Sequence, residues 1–547
     1  MDLRPRRSAG GPRARVPALS DTDSAAWWQS ALIYEVYPRS FADADGNGVG
    51  DLRGVIDRLP YLSSLGVDGI WLTPFMHSPQ VDQGYDVSDY CDVDPLFGSL
   101  GDLDELLDAA HWRGIRIIVD VVPNHASTAH PLFRQAVEDG PGSPARELFH
   151  FAQGKPCGMP PNDWPSVFGG PAWTRVAPDS STDIDWYLHL FSPAQPDWNW
   201  RNPAVGEYFE GVLRFWLDRG VNGVRIDVAH GLFKAVGLPD VGEVPARIDG
   251  LRTNPLARDR EEVHDVYRRW RRIADEYVPP RVLVGEVNLA PDRAARYTRP
   301  DELHQAFAFA FTHVGWDADA WRQVGEDLER VRREHGSVPT WALENHDVVR
   351  AVTRFGGGEA GQRRARAAIV ALLGLPGSAY VFQGQELGLP EVDVPVEARR
   401  DPMWSRGGVS RDGVRVPLPW TESAERAHGF SSSAGAATPW LPQPGDWGRF
   451  AVEVQERDPE STLQLFRTAA DLRRRLLRAG TLRADQAAHW SVDDGLLLCR
   501  RDGGVTIAVA MGGRPARLPD GEVVLASAAV KEGMLPADAA AWVIARR

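Results

Sequence analysis

The stretch GVNGVRIDVAH, residues 220–230, is a short apolar run that ends in an acid, Asp227. The same arrangement recurs in RVLVGEVN, which contains Glu286, and in VPTWALENHD, which ends at Asp347. Apolar runs of this length are typical of buried parallel strands, and a carboxylate at the end of such a run is costly to desolvate. We therefore infer that the three acids have a function there.

Strand-like and helix-like patterns alternate along the chain. Eight runs have strand character: ALIYEVY from Ala31, GVDGIWLTP from Gly66, GIRIIVDVVP from Gly114, GVNGVRID from Gly220, RVLVGEV from Arg281, QAFAFAF from Gln305, VPTWALE from Val338 and SAYVFQG from Ser378. Eight strand and helix units predict an α/β protein with a closed (β/α)8 TIM barrel. An open, doubly wound sheet is the alternative, but no Gly-rich fingerprint follows any of these runs.

The domain organisation follows from the same patterns. We predict that residues 26–125 and 201–479 form the catalytic barrel and that residues 126–200 form a subdomain inserted after the third strand. A final helix is predicted from about 458 to 477. Short strand-like runs separated by turn signals predict an antiparallel β domain over residues 480–547. Residues 1–25 are rich in Arg, Gly, Pro, Ser and Ala, which predicts a disordered tail.

The predicted insertion is long, rich in Pro and Gly, and has no long helical pattern between Asn124 and Pro203. Its aromatic residues are Trp164, Phe168, Trp173, Trp186, Tyr187, Phe191, Trp198 and Trp200. A loop of this length inside a compact domain usually has a function, and aromatic faces are surfaces on which a sugar ring packs. We therefore favour a carbohydrate-contacting subdomain over a purely decorative insertion.

Composition excludes several classes of function. The chain has 547 residues, 43% of them hydrophobic, and a formal net charge of −14, which would repel rather than attract a nucleic acid. Its three cysteines are widely spaced, so neither a disulfide framework nor a cysteine metal site is predicted. No secretory signal and no run of about 18 apolar residues occurs. We predict a cytoplasmic protein without a membrane partner; the sequence leaves its oligomeric state open.

The carboxyl ends of barrel strands meet at one rim, where active sites lie. Besides the three acids, this rim is predicted to gather Asp82, Tyr85, Asp86, Asp120, Asn124, His125, Arg225 and His346. Arg225 lies two residues before Asp227, on the same face of a strand, so we expect it to hold Asp227 as an anion while another acid has a raised pKa. Two carboxylates in different protonation states are what glycoside cleavage requires. Ordinary salt bridges would explain one such acid, but poorly explain three.

Several motifs together resemble the α-amylase family, glycoside hydrolase family 13. They are DVVPNH (120–125), GVRIDVAH (223–230), GEVN (285–288), ENHD (344–347) and QPDWN (195–199). GYDVSDY (84–90), FGGPAW (168–173), FQGQELGLP (382–390) and DGVRVPLPW (412–420) further resemble the branch of α-glucosidases and oligo-1,6-glucosidases. The resemblance covers residues 26–547 in order.

The resemblance implies catalytic roles at three positions. Asp227 is implied to be the nucleophile that forms a β-glucosyl-enzyme, Glu286 the acid and base, and Asp347 the acid that stabilises the transition state. Two inversions at the same carbon would retain the anomer.

The resemblance also implies which residues hold the substrate, a small oligosaccharide: Tyr85, Asp86, His125, Phe168, Arg225, His346 and Arg415. His125 and His346 would surround the reacting sugar. Asp86 and Arg415 would close the pocket on the hydroxyls of the non-reducing glucose. Phe168 would form part of the pocket wall, with a hydrophobic structural role as the alternative.

The loop DADGNGVGD, residues 43–51, predicts a metal site. Oxygen side chains alternate with glycines, as in calcium loops, although no Glu follows at the twelfth position. The resemblance implies structural Ca²⁺ bound by Asp43, Asp45, Asn47, Asp51 and the carbonyl of Val49. The alternatives are Mg²⁺ in the same loop and a solvated turn without an ion. No organic cofactor is predicted.

The function implied is release of terminal α-glucose from maltose and short malto-oligosaccharides, with transglucosylation by the same intermediate. Val228, beside the nucleophile, is typical of α-1,6 cleavage, whereas Ala229 and His230 favour α-1,4 cleavage. The alternatives are an oligo-1,6-glucosidase, a sucrose- or trehalose-acting transferase or isomerase of the same family, and a non-catalytic carbohydrate-binding relative. The last should have lost one of the three acids, and all three are present.

Overall fold

Eight parallel strands form the central sheet in the computed structural model of this protein, which describes residues 26–177, 183–243, 254–432 and 435–546. The strands are β1 (Leu32–Val36), β2 (Gly69–Leu72), β3 (Arg116–Val121), β4 (Gly223–Ile226), β5 (Val282–Gly285), β6 (Gln305–Ala306), β7 (Thr340–Ala342) and β8 (Ser378–Phe382). They lie in the order β6-β5-β4-β3-β2-β1-β8-β7. The Ala308 N–H, just after β6, donates to the Thr340 carbonyl in β7 at 2.9 Å and nearly closes the ring. The predicted (β/α)8 barrel is confirmed; the predicted tail, residues 1–25, lies outside the described residues.

The register of the barrel brings the predicted acids to one edge. Ile226, the last residue of β4, pairs with Val121 at the end of β3 and with Gly285 at the end of β5. Because parallel strands leave the barrel at the same level, Asp227 and Glu286 emerge next to each other.

Helices cover the outside of the barrel, and local sequence sets their ends. Pro203–Arg219 begins after Asn202, whose side chain accepts a hydrogen bond from the Ala204 N–H, and ends at Gly220 with φ of 113°. Glycine adopts this left-handed conformation without strain, so the chain can turn directly into β4. The other covering helices are Leu52–Asp57, Leu59–Ser64, Leu100–Trp112, Val263–Asp275, Pro291–Ala295, Ala318–His335, Gly358–Gly374 and Thr462–Arg478, and shorter helices are Phe309–His313, Ala351–Arg354, Pro402–Ser405, Arg426–Gly429 and Val452–Arg457. Among the described residues, no helix is long and apolar enough to cross a membrane.

The sixth strand is shorter than its sequence pattern predicts. QAFAFAF forms a strand only over Gln305–Ala306, and a helix follows at Phe309–His313. Phe307 and Phe309 instead bury their rings beside Trp71 and Tyr380 inside the barrel. Packing of these rings, rather than strand pairing, therefore explains the apolar alternation here.

The insertion after β3 forms a small domain with its own core. Its strands Phe151–Gln153, Asp185–Leu188 and Trp173–Arg175 pair antiparallel in that order. It also contains the nine-residue helix Pro131–Asp139, which the sequence analysis did not identify. Proline at the first helical position and the His130 side chain, which accepts from the Leu132 N–H, start that helix.

Most of the large aromatic residues in the insertion support its fold. Trp164, Trp173 and Trp198 are at most 1% exposed, and Trp198 stacks on Phe149 with ring centroids 4.2 Å apart. Trp164 and Trp173 belong to the insertion's own core and Trp198 to the main core of the protein, so these three rings support the fold and do not face a sugar.

The C-terminal segment forms the predicted antiparallel β domain. Its main sheet contains β9 (Ala488–Asp493), β10 (Leu496–Arg501), β11 (Val505–Ala510), β12 (Glu522–Ala526) and β13 (Ala539–Ile544), in the order β9-β10-β11-β13-β12. The Trp542 indole N–H donates to the Val370 carbonyl at 2.8 Å and joins this sheet to the helix Gly358–Gly374. The domain therefore packs on the outside of the barrel, against a helix that covers the strands.

Candidate active site

A pocket of about 140 Å³ opens at the carboxyl ends of the barrel strands. It is lined by Asp82, Tyr85, His125, Pro165, Val167, Phe168, Leu190, Phe191, Asp227, Val228, His230, Gly231, Asn254, Ala257, Arg258, Glu286, Asn288, Asp347 and Arg411. Six of the residues implied to be catalytic or to bind substrate are among them: Tyr85, His125, Phe168, Asp227, Glu286 and Asp347. Arg225, His346, Arg415 and Asp86 are not among the lining residues.

One buried guanidinium joins the acids of three strands. Arg225 Nη1 donates to Asp227 Oδ1 at 2.7 Å and to both Asp120 oxygens at 3.0 Å, and its Nη2 donates to Glu286 Oε2 at 2.7 Å. The Arg225 side chain is 2% exposed. The sequence correctly placed Arg225 beside Asp227, but the structure shares its charge among three carboxylates.

The protonation of Asp227 and Glu286 differs from the sequence-based expectation. Burial, together with the neighbouring Glu286 carboxylate, raises the pKa of Asp227 well above its ordinary value. Burial also acts on Glu286, but Arg225 and the Val228 N–H, which donates at 3.0 Å, lower the pKa of Glu286. Arg225 lies 2.7 Å from both acids, so its charge is shared between Asp227 and Glu286 rather than reserved for Asp227, as expected from the sequence.

Asp347 is a fixed anion. Its side chain is 33% exposed; partial burial opposes ionisation, but His346, Arg411 and Arg415 hold the pKa of its carboxyl well below the usual range. Asp347 Oδ1 accepts from Arg411 Nη1 at 3.0 Å and from Arg415 Nη2 at 2.6 Å, and His346 Nε2 lies 3.5 Å from Oδ2. Its charge and position are therefore set from several sides.

The two predicted histidines occupy different environments. Burial lowers the pKa of His125 to about 3, so its ring is neutral, and its Nε2 lies 3.2 Å from the Tyr85 carbonyl. His346 lies behind the pocket surface, stacked between Tyr85 and Tyr37 with ring centroids 5.3 and 5.7 Å away. Its Nδ1 is 2.5 Å from Glu35 Oε1 and its Nε2 is 2.7 Å from the Tyr85 hydroxyl. Only His125 therefore reaches the pocket directly.

Asp86 and Arg415, the pair implied to close on the hydroxyls of the glucose, are not among the residues that line the pocket. Asp86 is fully buried inside a turn, where it accepts from the Ser78 hydroxyl and from the Asp82 N–H, each at 2.9 Å. Arg415 donates to Gln83 Oε1 at 2.6 Å, away from Asp86. Their predicted role on the hydroxyls of a bound glucose therefore stays a prediction.

Asp82 and Arg411 form the ion pair that lines the pocket instead. Arg411 Nη2 donates to Asp82 Oδ1 at 3.0 Å, and Nη1 of the same side chain reaches Asp347. The Phe168 ring covers the Arg411 guanidinium, 4.9 Å from its centroid. Phe168 is thus a wall residue, whereas Arg411 was missed in the sequence. The sequence alone does not distinguish Arg411 from the nearby Arg415; the fold of their loop determines which of the two lines the pocket.

The pocket's buried acids predict a pH dependence. Burial raises the pKa of Asp82 to about 6 and that of Asp120 to about 6, against the opposing effects of Arg411 and Arg225. An acid with a raised pKa is charged only above that value, so both acids take up protons as the pH falls through about 6. We expect kcat/KM for a neutral glucoside to fall over that range. Asp82→Asn, which cannot titrate, should show a shallower acid limb; identical limbs would contradict the assignment.

The loop predicted to bind calcium wraps around three acids. One oxygen each from Asp43, Asp45 and Asp51 lie within 4.8 Å of one another. Gly48 has φ of 89°, and a Cβ there would lie 2.4 Å from the Thr438 carbonyl, so only glycine fits. A concentrated set of carboxylate oxygens is the donor chemistry that Ca²⁺ takes, and the loop residues fit the ion in that respect.

Comparison with known proteins agrees with this site. Residues 35–480 match the family model "Alpha amylase, catalytic domain". A probable alpha-glucosidase of Rhizobium meliloti (strain 1021) is 39% identical over 466 residues, covering 81% of each chain. The trehalose-6-phosphate hydrolase of Escherichia coli (strain K12) is 36% identical over 488 residues, covering 82% of this chain and 84% of the relative.

Solved structures give the same result. The alpha-glucosyl transfer enzyme XgtA superposes with a TM-score of 0.85 at 35% sequence identity, covering 95% of this chain and 99% of that one. The family model spans most of the chain, and the alignments with the two relatives cover 81% and 82% of it. The chain therefore belongs to the α-amylase family, glycoside hydrolase family 13, and is a glycoside hydrolase.

Proposed function

We propose that this protein is a retaining α-glucosidase that releases terminal, non-reducing α-glucose from maltose and short malto-oligosaccharides. The observation that carries the proposal is the network at the pocket, where Arg411 bridges Asp82 and Asp347 under the Phe168 ring. Charged hydrogen-bonding groups fixed around one end of a small pocket suit the hydroxyls of a chain end rather than a passing polymer.

In this proposal Asp227 and Glu286 divide the chemistry. An Asp227 oxygen attacks the anomeric carbon as Glu286 gives a proton to the departing glycosidic oxygen, so one C–O bond forms while the other breaks. Glu286, now ionised, takes a proton from a water that attacks the same carbon and releases Asp227. Each attack inverts the carbon, and the released glucose keeps the α configuration.

The pair must exchange its proton before the first step. Glu286 accepts from Arg225 Nη2 and the Val228 N–H, an arrangement that favours the ionised Glu286. We propose that a bound sugar draws Glu286 away from Arg225, which raises the affinity of Glu286 for the proton and leaves Arg225 to Asp227. The 2.7 Å contact between Arg225 and Asp227 supports this reassignment.

Val228, His230, Asn254 and Arg258 also line the pocket, and in this proposal they help to determine which linkage is cleaved. A panel of maltose, isomaltose, sucrose, trehalose and trehalose-6-phosphate tests the proposal. We expect glucose to appear fastest from maltose, with slower release from isomaltose and some transfer products at high sugar concentration. Conversion of sucrose into an isomer or polymer with little free glucose, or selective hydrolysis of trehalose-6-phosphate, would replace the proposal.

We further propose that the loop of Asp43, Asp45 and Asp51 holds a structural Ca²⁺, with the Asn47 side-chain oxygen and the Val49 carbonyl as further ligands. The loop is anchored to the segment after the barrel, since the Trp440 N–H donates to the Gly48 carbonyl at 3.0 Å. Neutralising clustered carboxylates there would stabilise that junction.

A chelation experiment tests the metal. We expect EDTA to lower the melting temperature and Ca²⁺ to restore it. A bound ion whose free concentration is 100 times its Kd adds about 2.7 kcal/mol to the free energy of unfolding. Asp45→Asn removes a charged ligand and should reduce the change in melting temperature that EDTA causes. Because Asp45 is exposed, the substitution itself should not unfold the loop. An unchanged melting temperature in EDTA would contradict a bound ion, and restoration by Mg²⁺ alone would identify the alternative one.

A further inference from the structure

We propose that Asp401 is a positioning residue of the glucose pocket and determines its affinity for the terminal sugar by holding Arg411 in place. This inference rests on the proposed function, because it concerns the sugar that the pocket holds. Asp401 is not among the residues that line the pocket, so it acts only through Arg411.

Both carboxylate oxygens of Asp401 accept hydrogen bonds from the Arg411 guanidinium, on the side away from the pocket. Arg411 Nη2 donates to Asp401 Oδ1 at 2.8 Å, and Arg411 Nε donates to Oδ2 at 2.9 Å. The Arg411 backbone N–H also donates to Oδ2, at 2.6 Å. The Asp401 side chain is 0% exposed. A two-point contact with a planar guanidinium fixes its rotation as well as its place.

This contact decides where the remaining donors of Arg411 point. With Nε and part of Nη2 directed to Asp401, Nη2 also reaches Asp82 at 3.0 Å and Nη1 reaches Asp347 at 3.0 Å. Asp82 and Asp347 both line the pocket. The orientation of two sugar-facing acids therefore depends on a third acid that no sugar touches.

The charge state of Asp401 suits this role. It is buried, but Arg411 lowers the pKa of its carboxyl to about 2, so it remains an anion throughout the working pH range. Arg411 thus lies among three anions, and loss of Asp401 would leave it free to shift toward Asp82 or Asp347.

Asp401 also has a structural role from which its positioning role must be separated. Its Oδ1 accepts from the Met403 N–H at 3.0 Å and caps the short helix Pro402–Ser405. Asparagine is an equally good cap, because its side-chain oxygen can still accept from Met403. In Asp401→Asn, however, an NH₂ group replaces one of the two acceptors that face Arg411. This variant therefore removes the two-point grip and keeps the cap.

The experiment compares the wild-type protein, Asp401→Asn, and a control, Asp393→Asn. Asp393 lies in the same loop, is 98% exposed at its side chain, and pairs with Arg399. We measure kcat and KM on p-nitrophenyl α-glucoside, the melting temperature, and the calorimetric binding of 1-deoxynojirimycin, an iminosugar with the shape of a single glucose, at one fixed pH because its ring amine takes up a proton. Asp401→Asn is expected to raise KM and the Kd of the analogue about 10-fold or more, with kcat changed less than about 3-fold. Asp393→Asn should match wild type.

A double variant shows whether the effect passes through Arg411 to the pocket acids. If it does, adding Asp401→Asn to Asp82→Asn raises Kd by much less than it does in wild type, because coupled residues are not additive. An unchanged KM and Kd in Asp401→Asn, or a full additive effect in the double variant, would overturn the proposal. A wild type that binds the analogue but cleaves no glucoside would contradict the proposed function instead, and the Kd comparison would still decide the role of Asp401.

Discussion

Asp227→Asn is expected to lower kcat on maltose by at least about 10⁴-fold, because an amide cannot form the covalent bond to the anomeric carbon. The side chain lies at the end of β4 and accepts from Arg225 Nη1 at 2.7 Å, and asparagine is nearly the same size. The pocket should therefore keep its shape, and KM or inhibitor binding should change far less than kcat. Steady-state kinetics with purified protein measure both.

A matched variant shows that the loss belongs to this position. Asp218→Asn makes the same chemical change on the exposed side of the helix Pro203–Arg219 and should have wild-type kinetics. With Asp227→Ala and α-glucosyl fluoride, azide should attack from the vacated side, expel fluoride and give β-glucosyl azide. Substantial activity of Asp227→Asn on maltose would remove Asp227 from the role of nucleophile.

Glu286→Gln should lower kcat on maltose by about 10²- to 10⁴-fold, the range typical of a lost general acid and base. The expected loss depends on the leaving group, because a good leaving group departs without a proton. With 2,4-dinitrophenyl α-glucoside we expect a rapid first turnover followed by slow hydrolysis, as the glucosyl-enzyme accumulates. Stopped-flow detection of the released phenol measures this burst.

Azide separates this variant from the nucleophile variant. Attack on the accumulated β-glucosyl-enzyme of Glu286→Gln should restore turnover and yield α-glucosyl azide, the opposite anomer to that expected from Asp227→Ala. Glu276→Gln, at an exposed position outside the pocket, is the matched control and should be unaffected. Equal loss of activity on activated and unactivated glucosides, without azide rescue, would exclude Glu286 as the acid and base.

The acids and the barrel could be predicted from the sequence because both signals are local. An apolar run that ends in a carboxylate identifies strand and functional residue together, and Asp227, Glu286 and Asp347 all line one pocket in the structure. The alternation of strands and helices then predicts the order of the barrel. The sixth strand departs from its pattern, because Phe307 and Phe309 pack inside the barrel instead of continuing the sheet.

The rest of the site depends on contacts that no local pattern encodes. Asp82 and Asp86 lie four residues apart, as do Arg411 and Arg415, and in the structure only Asp82 and Arg411 line the pocket. A turn buries Asp86 against backbone N–H groups and leaves Asp82 facing the pocket. Which of Asp227 and Glu286 is ionised likewise depends on the distance between Arg225 Nη2 and Glu286, which is set by the packing of β4 and β5.

The anomeric form of the first glucose released from p-nitrophenyl α-glucoside, which yields a single glucose per turnover, tests the proposed mechanism most directly. Proton NMR of a freshly started reaction, recorded before mutarotation equilibrates the product, distinguishes α-glucose from β-glucose by the signal of the anomeric proton. Attack by Asp227 followed by attack of water predicts α-glucose as the initial product. Initial release of β-glucose would show a single inversion and would contradict a covalent intermediate on Asp227.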